Sequence, residues 1–585
     1  MRFSPPPDLH SSRRVGLTAL VVTVIASIGL IGHSYRFTKT LGDPDDAMRL
    51  VLVRDLLAGR GWYDQVITRL QPPIGVVLHW SRLVDGALVA LTKAFGLILS
   101  PQAAETAMRL TWPLFWILPA TWCALAIAQR LGGSLAVFIC AVLLASNQQA
   151  FAQFIPGRID HHNIQIVMTL VAASCAMAKE NRSRWALMAG VATGLGLVIG
   201  LEALPFHVLI GMSYALQSAT GGDKRETARS YALSLLGASL LFYCLQTPPW
   251  RWSMSFCDAI GLSLVAAIIV ASCGLMVITM KRFRTSARSR VLILIATIAL
   301  AAGVYLALDP VCIGGPLAAV DTRIRPFWFN IVDEMQPLPV ILERYWDLGI
   351  SLAWLSGVLI ATVIFMLVRN QTRTQPAILL ASALAISAVI GGIEAFRMQS
   401  YVFWLGFPLL AVGLSILAAR FWGGLMVPTV IVCVLLSPVG IKAQSFAEDT
   451  VFGSPHSLKP AETEFHCHDT AEYRRLRALS PGLVLADISI GPFILANTPH
   501  SVLNAPYHRM VWGILAAHDA LTATASNAER KFRNLKIDYL VECRTSPAPQ
   551  APGSVEWDLA REKIPEWLQP LSARSEGLQI YRVRS

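Results

Sequence analysis

Long apolar runs recur between Val15 and Ile441, and they constrain the fold more than any other feature of the chain. A transmembrane helix needs about 20 consecutive apolar residues. Charged residues make up only 15% of the 585 residues, whereas about a quarter is usual in soluble domains. The sequence therefore predicts a polytopic α-helical membrane protein. The thirteen predicted spans lie near 15–33, 108–128, 133–147, 164–178, 185–200, 203–218, 230–247, 258–280, 291–307, 349–368, 376–393, 401–419 and 424–441.

The net charge of +12 does not indicate a nucleic-acid partner, because the basic residues concentrate in alternate loops. The clusters comprise Arg13, Arg14, Arg130, Lys179, Arg182, Arg184, Lys224, Arg225, Arg229, Lys281, Arg282, Arg284, Arg288, Arg290, Arg369, Arg373 and Arg420. This alternation follows the positive-inside rule and predicts a cytoplasmic N-terminus. The first span follows a basic pair but has no small-residue cleavage site, so we expect a retained anchor. With thirteen spans, the C-terminal region then lies outside the inner (plasma) membrane.

The composition predicts two domains. Residues 1–441 form the transmembrane domain, with large external segments at 34–107, 148–163 and 308–348. Within the first of these, 45–57 and 71–98 are predicted to be helical. Residues 442–585 have ordinary polar content, so we expect an external α/β domain. Its predicted strands lie at 483–487, 501–504, 539–543 and 578–582, with a helix at 512–535.

Ten cysteines are present. Most lie in apolar runs, which is typical of core packing, and examples are Cys123, Cys140, Cys175, Cys273 and Cys433. Cys467 and Cys543 both fall in the predicted external domain. An oxidising compartment allows them to form a disulfide, although the spacing alone does not fix the pairing.

Three acidic clusters stand in the predicted external segments. They are Asp43-Pro44-Asp45-Asp46, Asp160-His161-His162 and Asp333-Glu334. Carboxylates and an imidazole suit Mg²⁺ or Mn²⁺, so we predict a metal site formed by Asp45, Asp160, His162 and Glu334. Simpler roles remain open: Asp43 or Asp45 can cap the following helix, His161 can be a packing residue, and Asp333 can be solvated.

A metal site at a membrane face suits a lipid substrate that presents a phosphate there. A divalent ion stabilises the charge that develops on a leaving phosphate, as in a polyprenyl-linked sugar donor. Arg397, at the outer end of the 376–393 span, can pair with that phosphate through its fork of N–H donors, or it can extend toward the interface without binding a ligand. Asp45 or Asp46 is the predicted general base for an acceptor hydroxyl.

These residues resemble motifs of the type C glycosyltransferase superfamily, in particular the catalytic subunit of the single-subunit oligosaccharyltransferases of archaea and bacteria. The segment 42–49, Gly-Asp-Pro-Asp-Asp-Ala-Met-Arg, is similar to the family's first acidic motif, and 157–162, Gly-Arg-Ile-Asp-His-His, is similar to its second. The resemblance extends to the thirteen-span layout, the large first and fifth external loops and the external C-terminal domain.

The resemblance implies roles for particular residues. It implies that Asp160 and His162 bind the metal and that Glu334 is the catalytic glutamate of the fifth external loop. Arg397 with Tyr401 is similar to the family's site for the lipid-linked phosphate. The family's acceptor-binding Trp-Trp-Asp tripeptide is missing from this sequence, where the nearest stretch is His508–Gly513.

The predicted function is therefore an inverting, metal-assisted transfer of a sugar or oligosaccharide from a polyprenyl-(di)phosphate donor to an envelope lipid, polysaccharide or protein. Tyr507, His508 and Arg509 either face the acceptor groove or lie on the surface. The alternatives are a transporter of lipid-linked glycans, a non-catalytic assembly subunit and a true oligosaccharyltransferase. Transporters place ionisable residues at mid-membrane, whereas Glu202, Glu394 and Arg397 fall near the ends of predicted spans.

Overall fold

The computed structural model describes residues 9–33, 39–179, 182–220, 225–280, 286–371, 375–421, 467–544, 551–573 and 576–584. Helices dominate the part of the chain before residue 422. The helices there are α1 Leu9–His33, α2 Pro44–Leu57, α3 Arg82–Phe95, α4 Pro101–Ser146, α5 His162–Ala176, α6 Arg182–Ile199, α7 Leu204–Thr220, α8 Arg225–Gln246, α9 Leu262–Thr279, α10 Ala287–Leu308, α11 Leu338–Arg344, α12 Trp346–Val368, α13 Pro376–Glu394 and α14 Gln399–Phe421.

Twelve of the thirteen predicted spans coincide with these helices, and the span at 424–441 lies outside the described residues. Among the described residues, eight helical segments are long and apolar enough to cross a membrane. The chain is thus a polytopic helical membrane protein, as predicted. The count of thirteen remains a prediction.

The predicted spans at 108–128 and 133–147 are two helical segments that meet at a kink. They belong to the 46-residue run α4, whose only non-helical residue is Gly133, at φ 74° and ψ −163°. A left-handed backbone of this kind suits glycine, which has no Cβ to clash. At 1.5 Å per residue, residues 101–132 are roughly 48 Å long and residues 134–146 roughly 20 Å. The first segment is long enough to cross a hydrocarbon core of about 30 Å, and the second is shorter than one.

The helices pack around α14. Trp404 is completely buried within this helix. Its ring meets the edges of Phe151 and Phe154 with centroids 5.3 and 5.6 Å apart, and its indole N–H donates a hydrogen bond to the Ala150 carbonyl at 2.8 Å. These contacts hold the segment that precedes the Asp-His-His cluster against the centre of the bundle.

The first large loop contains α2 and α3. The predicted helix at 45–57 is confirmed, but the predicted helix at 71–98 begins only at Arg82. Residues 71–81 form turns instead, because Pro72 and Pro73 remove two backbone donors and Gly75 has a φ of 73°. We refer to the end of the bundle that carries this loop, residues 147–161 and residues 309–345 as the loop face.

The C-terminal domain is an α/β unit, as predicted. Its five strands lie in the order β2-β1-β3-β5-β4, with β2, β1 and β3 parallel and β5 antiparallel to both β3 and β4. The strand β4 was not predicted, and the predicted helix at 512–535 is two helices, because residues 522–524 interrupt it. The elements are α15 Arg474–Arg477, β1 Leu483–Ala486, α16 Gly491–Asn497, β2 Ser501–Val502, α17 Val511–Leu521, α18 Ala525–Asn534, β3 Tyr539–Cys543, α19 Val555–Ala560, β4 Leu568–Pro570 and β5 Leu578–Val583.

Two disulfides stabilise the loop face and the C-terminal domain. Cys467 and Cys543 form the bond that the sequence allowed. A second bond joins Cys257 to Cys312 and was not predicted. The expected core cysteines Cys140 and Cys175 are buried and Cys123 is half-buried, whereas Cys273 is exposed on α9. Cys433 lies outside the described residues.

Candidate active site

The first acidic cluster forms the N-terminal turn of α2. The Asp43 carboxylate accepts hydrogen bonds at 3.0 Å from the backbone N–H groups of both Asp45 and Asp46. The Asp46 carboxylate accepts one in return from the Asp43 N–H at 3.3 Å. This reciprocal capping box satisfies donors that a helix end leaves open. Asp43 is therefore the N-cap, one of the two residues that the sequence suggested for this role.

Asp46 joins the first acidic cluster to the second. One of its oxygens accepts hydrogen bonds from the backbone N–H groups of Ile159 at 2.8 Å and Asp160 at 3.1 Å. Its other oxygen lies 3.2 Å from Arg158 Nη1. The side chain is buried, and burial together with the nearby Asp160 raises the pKa of Asp46. Its hydrogen-bonding capacity is thus used in holding two loops together.

Asp45 is different, because no described residue donates a hydrogen bond to its carboxylate. Burial, followed by the charges of Asp160 and Glu334, raises the pKa of Asp45 to about 7. Carboxylates that crowd one another in this way favour a proton or a cation between them. The charges of Asp160 and Glu334 therefore both act on Asp45, and a shared metal site remains a prediction.

The second acidic cluster precedes α5 and is buried. Asp160 accepts a hydrogen bond from Arg49 Nη2 at 3.0 Å, and the same oxygen lies 2.6 Å from His161 Nδ1. Burial opposes ionisation of Asp160, but His161 and His162 hold its pKa well below the usual range. Burial also lowers the pKa of His161 to about 4. His161 is thus a packing residue with a polar partner, stacked on His162 at a centroid distance of 4.5 Å.

His162 has ring nitrogens without hydrogen-bond partners among the described residues. Its Nδ1 lies 2.6 Å from Asp160 Oδ2, and its Nε2 lies 3.2 Å from Glu202 Oε2, but neither pair has the geometry of a hydrogen bond. Asp160 Oδ2 is also buried without a hydrogen bond. Buried polar atoms nearly always have partners, and a cation bound between these side chains would satisfy these atoms.

Glu202 is the site residue that the sequence reasoning did not predict. It stands in the short turn between α6 and α7 and forms an ion pair with Arg397. Arg397 Nη1 also lies 2.9 Å from the Met335 sulfur, which brings the 309–345 segment into contact with the turn between α13 and α14. The sequence does mark Glu202 in one way, as a single carboxylate in an apolar stretch. An ionisable residue in such a stretch usually has a function.

Arg158 lies between the carboxylates of the loop face. It forms ion pairs with Asp43 and Asp46 and lies 3.8 Å from Glu334 Oε1. Glu334 itself is partly exposed, with 38% of its side chain accessible. Asp333, by contrast, pairs with Arg344 at 2.7 Å and accepts a hydrogen bond from the Tyr345 hydroxyl at 2.7 Å. Glu334 therefore reaches the cluster, and Asp333 is bound to neighbours in its own segment.

The cluster fits a divalent metal ion. The ligand atoms of Asp160, His161 and His162 lie within 4.8 Å of one another, and Asp160 Oδ2 and the His162 nitrogens lack hydrogen bonds. Asp45 and Glu334 lie outside this group of mutually close ligand atoms, although the charges of Asp160 and Glu334 both act on Asp45. Carboxylate oxygens together with imidazole nitrogen suit Mg²⁺, Mn²⁺ or Zn²⁺.

The other predicted donor-site residue, Tyr401, is buried one helical turn after Arg397. Its ring packs against Phe206 with the centroids 4.8 Å apart. The structure therefore places Tyr401 behind Arg397, in the packing between α14 and α7.

The C-terminal domain closes over the cluster. The Tyr507 hydroxyl donates a hydrogen bond to the Pro44 carbonyl at 3.1 Å, and the Tyr507 ring meets Trp80 with the centroids 5.5 Å apart. Trp80 in turn stacks on the Arg49 guanidinium at 4.6 Å. Tyr507 is buried, so it is part of the interface between the domain and the first loop.

His508 and Arg509 attach the domain to the loop before α9. Arg509 donates two hydrogen bonds to the Asp258 carboxylate, at 2.7 and 2.8 Å, and His508 Nε2 lies 2.7 Å from it. Burial opposes ionisation, but these bonds hold the pKa of Asp258 well below its usual range. The reading of these three residues as ordinary surface residues is therefore wrong, and their contacts lie at a domain interface.

The fold defines a class of polytopic helical membrane proteins in which loops at one end of the bundle meet a C-terminal α/β domain. The chain is similar to a solved structure of the archaeal oligosaccharyltransferase AglB of Archaeoglobus fulgidus, in complex with an inhibitory peptide and a dolichol-phosphate. That match has a TM-score of 0.65 and 14% identity, and covers 90% of this chain and 69% of that chain.

Two further structures of the Archaeoglobus fulgidus enzyme also match. One is tethered to an acceptor peptide containing the NVT sequon, with a TM-score of 0.60, 14% identity, and coverage of 97% and 74% of the two chains. The other is a complex with Zn and sulfate, with a TM-score of 0.54, 15% identity, and coverage of 90% and 68%. No family model and no curated protein sequence matches the chain. At this level of identity the likeness establishes the fold.

Proposed function

We propose that this protein is a membrane glycosyltransferase that moves a sugar or oligosaccharide from a polyprenyl-(di)phosphate donor to an envelope acceptor, with inversion at the sugar. The observation that carries the proposal is the convergence of Asp45, Asp160, His162 and Glu334 next to Arg397. Asp45, Asp160 and Glu334 lie in three segments that are far apart in the chain. Crossing a bilayer does not require these segments to meet.

In this proposal Asp45, Asp160, His162 and Glu334 hold the metal, Mg²⁺ or Mn²⁺. When bound, the ion would stabilise the negative charge of the leaving lipid phosphate. Arg397 would bind the same phosphate, since a guanidinium matches phosphate oxygens with two parallel hydrogen bonds. Glu202 would then have to share Arg397 with the phosphate or release it.

The remaining step is removal of a proton from the acceptor hydroxyl. Asp45 suits this role better than Asp46, because the Asp46 oxygens already accept hydrogen bonds from Ile159, Asp160 and Asp43. Burial and the charges of Asp160 and Glu334 raise the pKa of Asp45 to about 7 in the metal-free protein. A bound cation would lower that pKa, so Asp45 would be ionised either as a metal ligand or as the base. Glu334, partly exposed at the rim, is the second carboxylate available to an incoming acceptor.

The architecture also supports the location. Disulfides persist in oxidising compartments, and both Cys257–Cys312 and Cys467–Cys543 belong to segments that the charge pattern assigns to the outside. We therefore propose that the loop face and the C-terminal domain lie at the outer surface of the inner membrane, and that the N-terminus is cytoplasmic.

A true oligosaccharyltransferase is the second candidate, because the archaeal enzyme shares the fold. The missing Trp-Trp-Asp tripeptide weighs against an asparagine acceptor. Transport of lipid-linked glycans is disfavoured, since the ionisable groups gather at the loop face and have partners there, rather than along a path through the bundle.

The test uses the purified full-length protein with a polyprenyl-phosphate sugar and extracts of envelope glycans or lipids. Asp45→Asn should abolish donor consumption with no loss of thermal stability, because no described residue binds that carboxylate. Asp160→Asn should also abolish donor consumption. Excess chelator should inactivate the wild type reversibly. The matched control is Asp321→Asn, since Asp321 pairs only with the exposed Arg323.

Full donor consumption by Asp45→Asn and Asp160→Asn, or by the wild type in chelator, would remove this site from the mechanism. Movement of the intact lipid-linked donor across a vesicle membrane without release of the lipid phosphate would favour transport.

A further inference from the structure

A separate cavity of about 310 Å³ lies between the first loop and the C-terminal domain. The first loop contributes Arg54 and Asp55, near the end of α2, and Arg69. The C-terminal domain contributes Arg477 from α15 and residues 495–499, which follow the end of α16. Arg54 comes nine residues after Asp45, which is roughly 13 Å along a helix. The cavity is therefore distinct from the candidate active site.

The charges that line this cavity do not cancel. Arg54 pairs with Glu105 at 2.8 Å, and Asp55 pairs with Arg60 at 3.4 Å. No carboxylate among the described residues forms an ion pair with Arg69 or Arg477. Two positive charges therefore remain in one concave space.

The same two arginines use only part of their hydrogen-bonding capacity. Arg69 donates to the backbone carbonyls of Leu495, Thr498 and His500 through Nε and Nη2. Arg477 donates through Nε to the Asn497 carbonyl at 2.5 Å. Among the described residues, no partner accepts from Nη1 of Arg69 or from either terminal nitrogen of Arg477. An arginine has five N–H donors and no acceptor, so several donors remain free.

The bonds to Leu495 and Asn497 satisfy open carbonyls at the end of α16 and place positive charge at the negative end of its dipole. That structural role accounts for one edge of each guanidinium. Arg477 is exposed, so without a ligand its free edge contacts solvent, at the wall of a cavity whose volume lies at the lower end of the range for small-molecule sites, about 300–1,000 Å³.

We propose that this cavity binds a single sugar unit that carries a carboxylate or a phosphate group. The fork of free donors on Arg477 and the remaining nitrogen of Arg69 match the oxygens of either group, and the space beside them accommodates the sugar ring. Such a ligand touches both the first loop and the C-terminal domain, so it stabilises their association. The inference does not depend on the proposed glycosyl transfer.

The test measures binding to the purified full-length protein in detergent by isothermal titration calorimetry. Glucuronate and glucose 6-phosphate should bind, and each should raise the temperature of unfolding, because a ligand that binds only the folded state stabilises it. Glucose should not bind, and inorganic phosphate should bind more weakly than glucose 6-phosphate. Arg477→Gln should weaken the binding of both anionic sugars by about tenfold or more, as expected for losing a charge-assisted hydrogen bond.

The control variant is Arg474→Gln, which removes one positive charge from the same short helix at an exposed position outside the cavity lining. It should leave both affinities unchanged. Equal effects of the two substitutions would show general electrostatic attraction and overturn the proposal. So would equal binding of glucose and glucuronate, or equal binding of phosphate and glucose 6-phosphate.

Thermal unfolding of Arg477→Gln without ligand distinguishes binding from folding. An unchanged unfolding temperature with weakened binding supports the site. If the unfolding temperature falls, binding to Arg477→Lys distinguishes the two explanations. Lysine keeps the positive charge but loses the two-pronged donor of arginine. Binding of the anionic sugars to Arg477→Lys at wild-type affinity would therefore overturn the proposal.

Discussion

The Glu202 carboxylate forms an ion pair with the Arg397 guanidinium, and its other oxygen lies 3.2 Å from His162 Nε2. One carboxylate therefore contacts both the proposed phosphate-binding residue and a proposed metal ligand. A phosphate that approaches Arg397 competes with Glu202, and a metal that binds His162 adds a positive charge beside Glu202. The two binding events are thus linked through this side chain.

Replacing Glu202 with glutamine separates these effects. Glu202→Gln removes the negative charge that competes for Arg397, so metal-free protein should bind polyprenyl phosphate about tenfold more tightly, which corresponds to about 1.4 kcal/mol. The variant also removes a charged neighbour of His162, so metal affinity should fall by about 10- to 100-fold. Separate titrations with lipid phosphate in chelator and with metal alone measure the two constants. Glu394→Gln, exposed at the end of α13, is the control, and parallel changes in both constants would contradict the linkage.

The role of Arg397 can be tested through the geometry of its side chain. Arg397→Lys keeps the charge but loses the two-pronged donor, so binding of the donor phosphate should weaken by roughly 10-fold, and Arg397→Ala should weaken it further. Equilibrium binding of polyprenyl phosphate to the three proteins provides the measurement, with Arg344→Lys as the control. Equal affinities in all three would show that Arg397 serves only as the structural partner of Glu202 and Met335.

Most of the helical architecture could be predicted from the sequence, because run length and apolar content are local properties. Two exceptions have local causes. Pro72 and Pro73 delay the start of α3, and residues 522–524 divide the predicted helix at 512–535. The break predicted between the spans at 108–128 and 133–147 corresponds to a kink at Gly133 and not to a loop, since a glycine between two apolar runs is compatible with either.

The site was predicted in part for a related reason. Asp45, Asp160 and Glu334 were found because each lies in a polar break between apolar runs. The contacts that hold them could not be found, since they join residues far apart in the chain. Asp46 bonds to backbone groups 113 and 114 residues away, and the Cys257–Cys312 bond spans 55 residues. Such pairings depend on the tertiary fold and have no signature in local sequence.

The C-terminal domain should respond to pH through Glu542, on β3. Burial, together with the charges of Asp487 and Glu556, raises the pKa of Glu542 from 4.5 to about 8. The folded domain then holds a proton that the unfolded chain releases, so the free energy of unfolding falls as the pH rises from about 4.5 to about 8. Glu542→Gln should remove this part of the decline. Unfolding temperatures of the full-length protein across that range test it, with exposed Glu566→Gln as the control; identical slopes in wild type and Glu542→Gln would contradict the prediction.

The last prediction concerns the acceptor. Without the Trp-Trp-Asp tripeptide, the C-terminal domain lacks the family's element for the threonine or serine of a sequon. In its place, Tyr507 binds the Pro44 carbonyl, and His508 and Arg509 bind Asp258, so these side chains are engaged at the interface of the domain with the loop face. We expect the purified protein to leave an Asn-X-Thr peptide unmodified. It should nevertheless consume a polyprenyl-linked sugar in the presence of envelope glycans or lipids. Mass spectrometry of the peptide, together with release of polyprenyl phosphate, measures both outcomes, and Asp45→Asn provides the inactive control. Transfer to the peptide asparagine by the wild type, but not by Asp45→Asn, would instead establish a protein oligosaccharyltransferase that recognises its sequon by other residues.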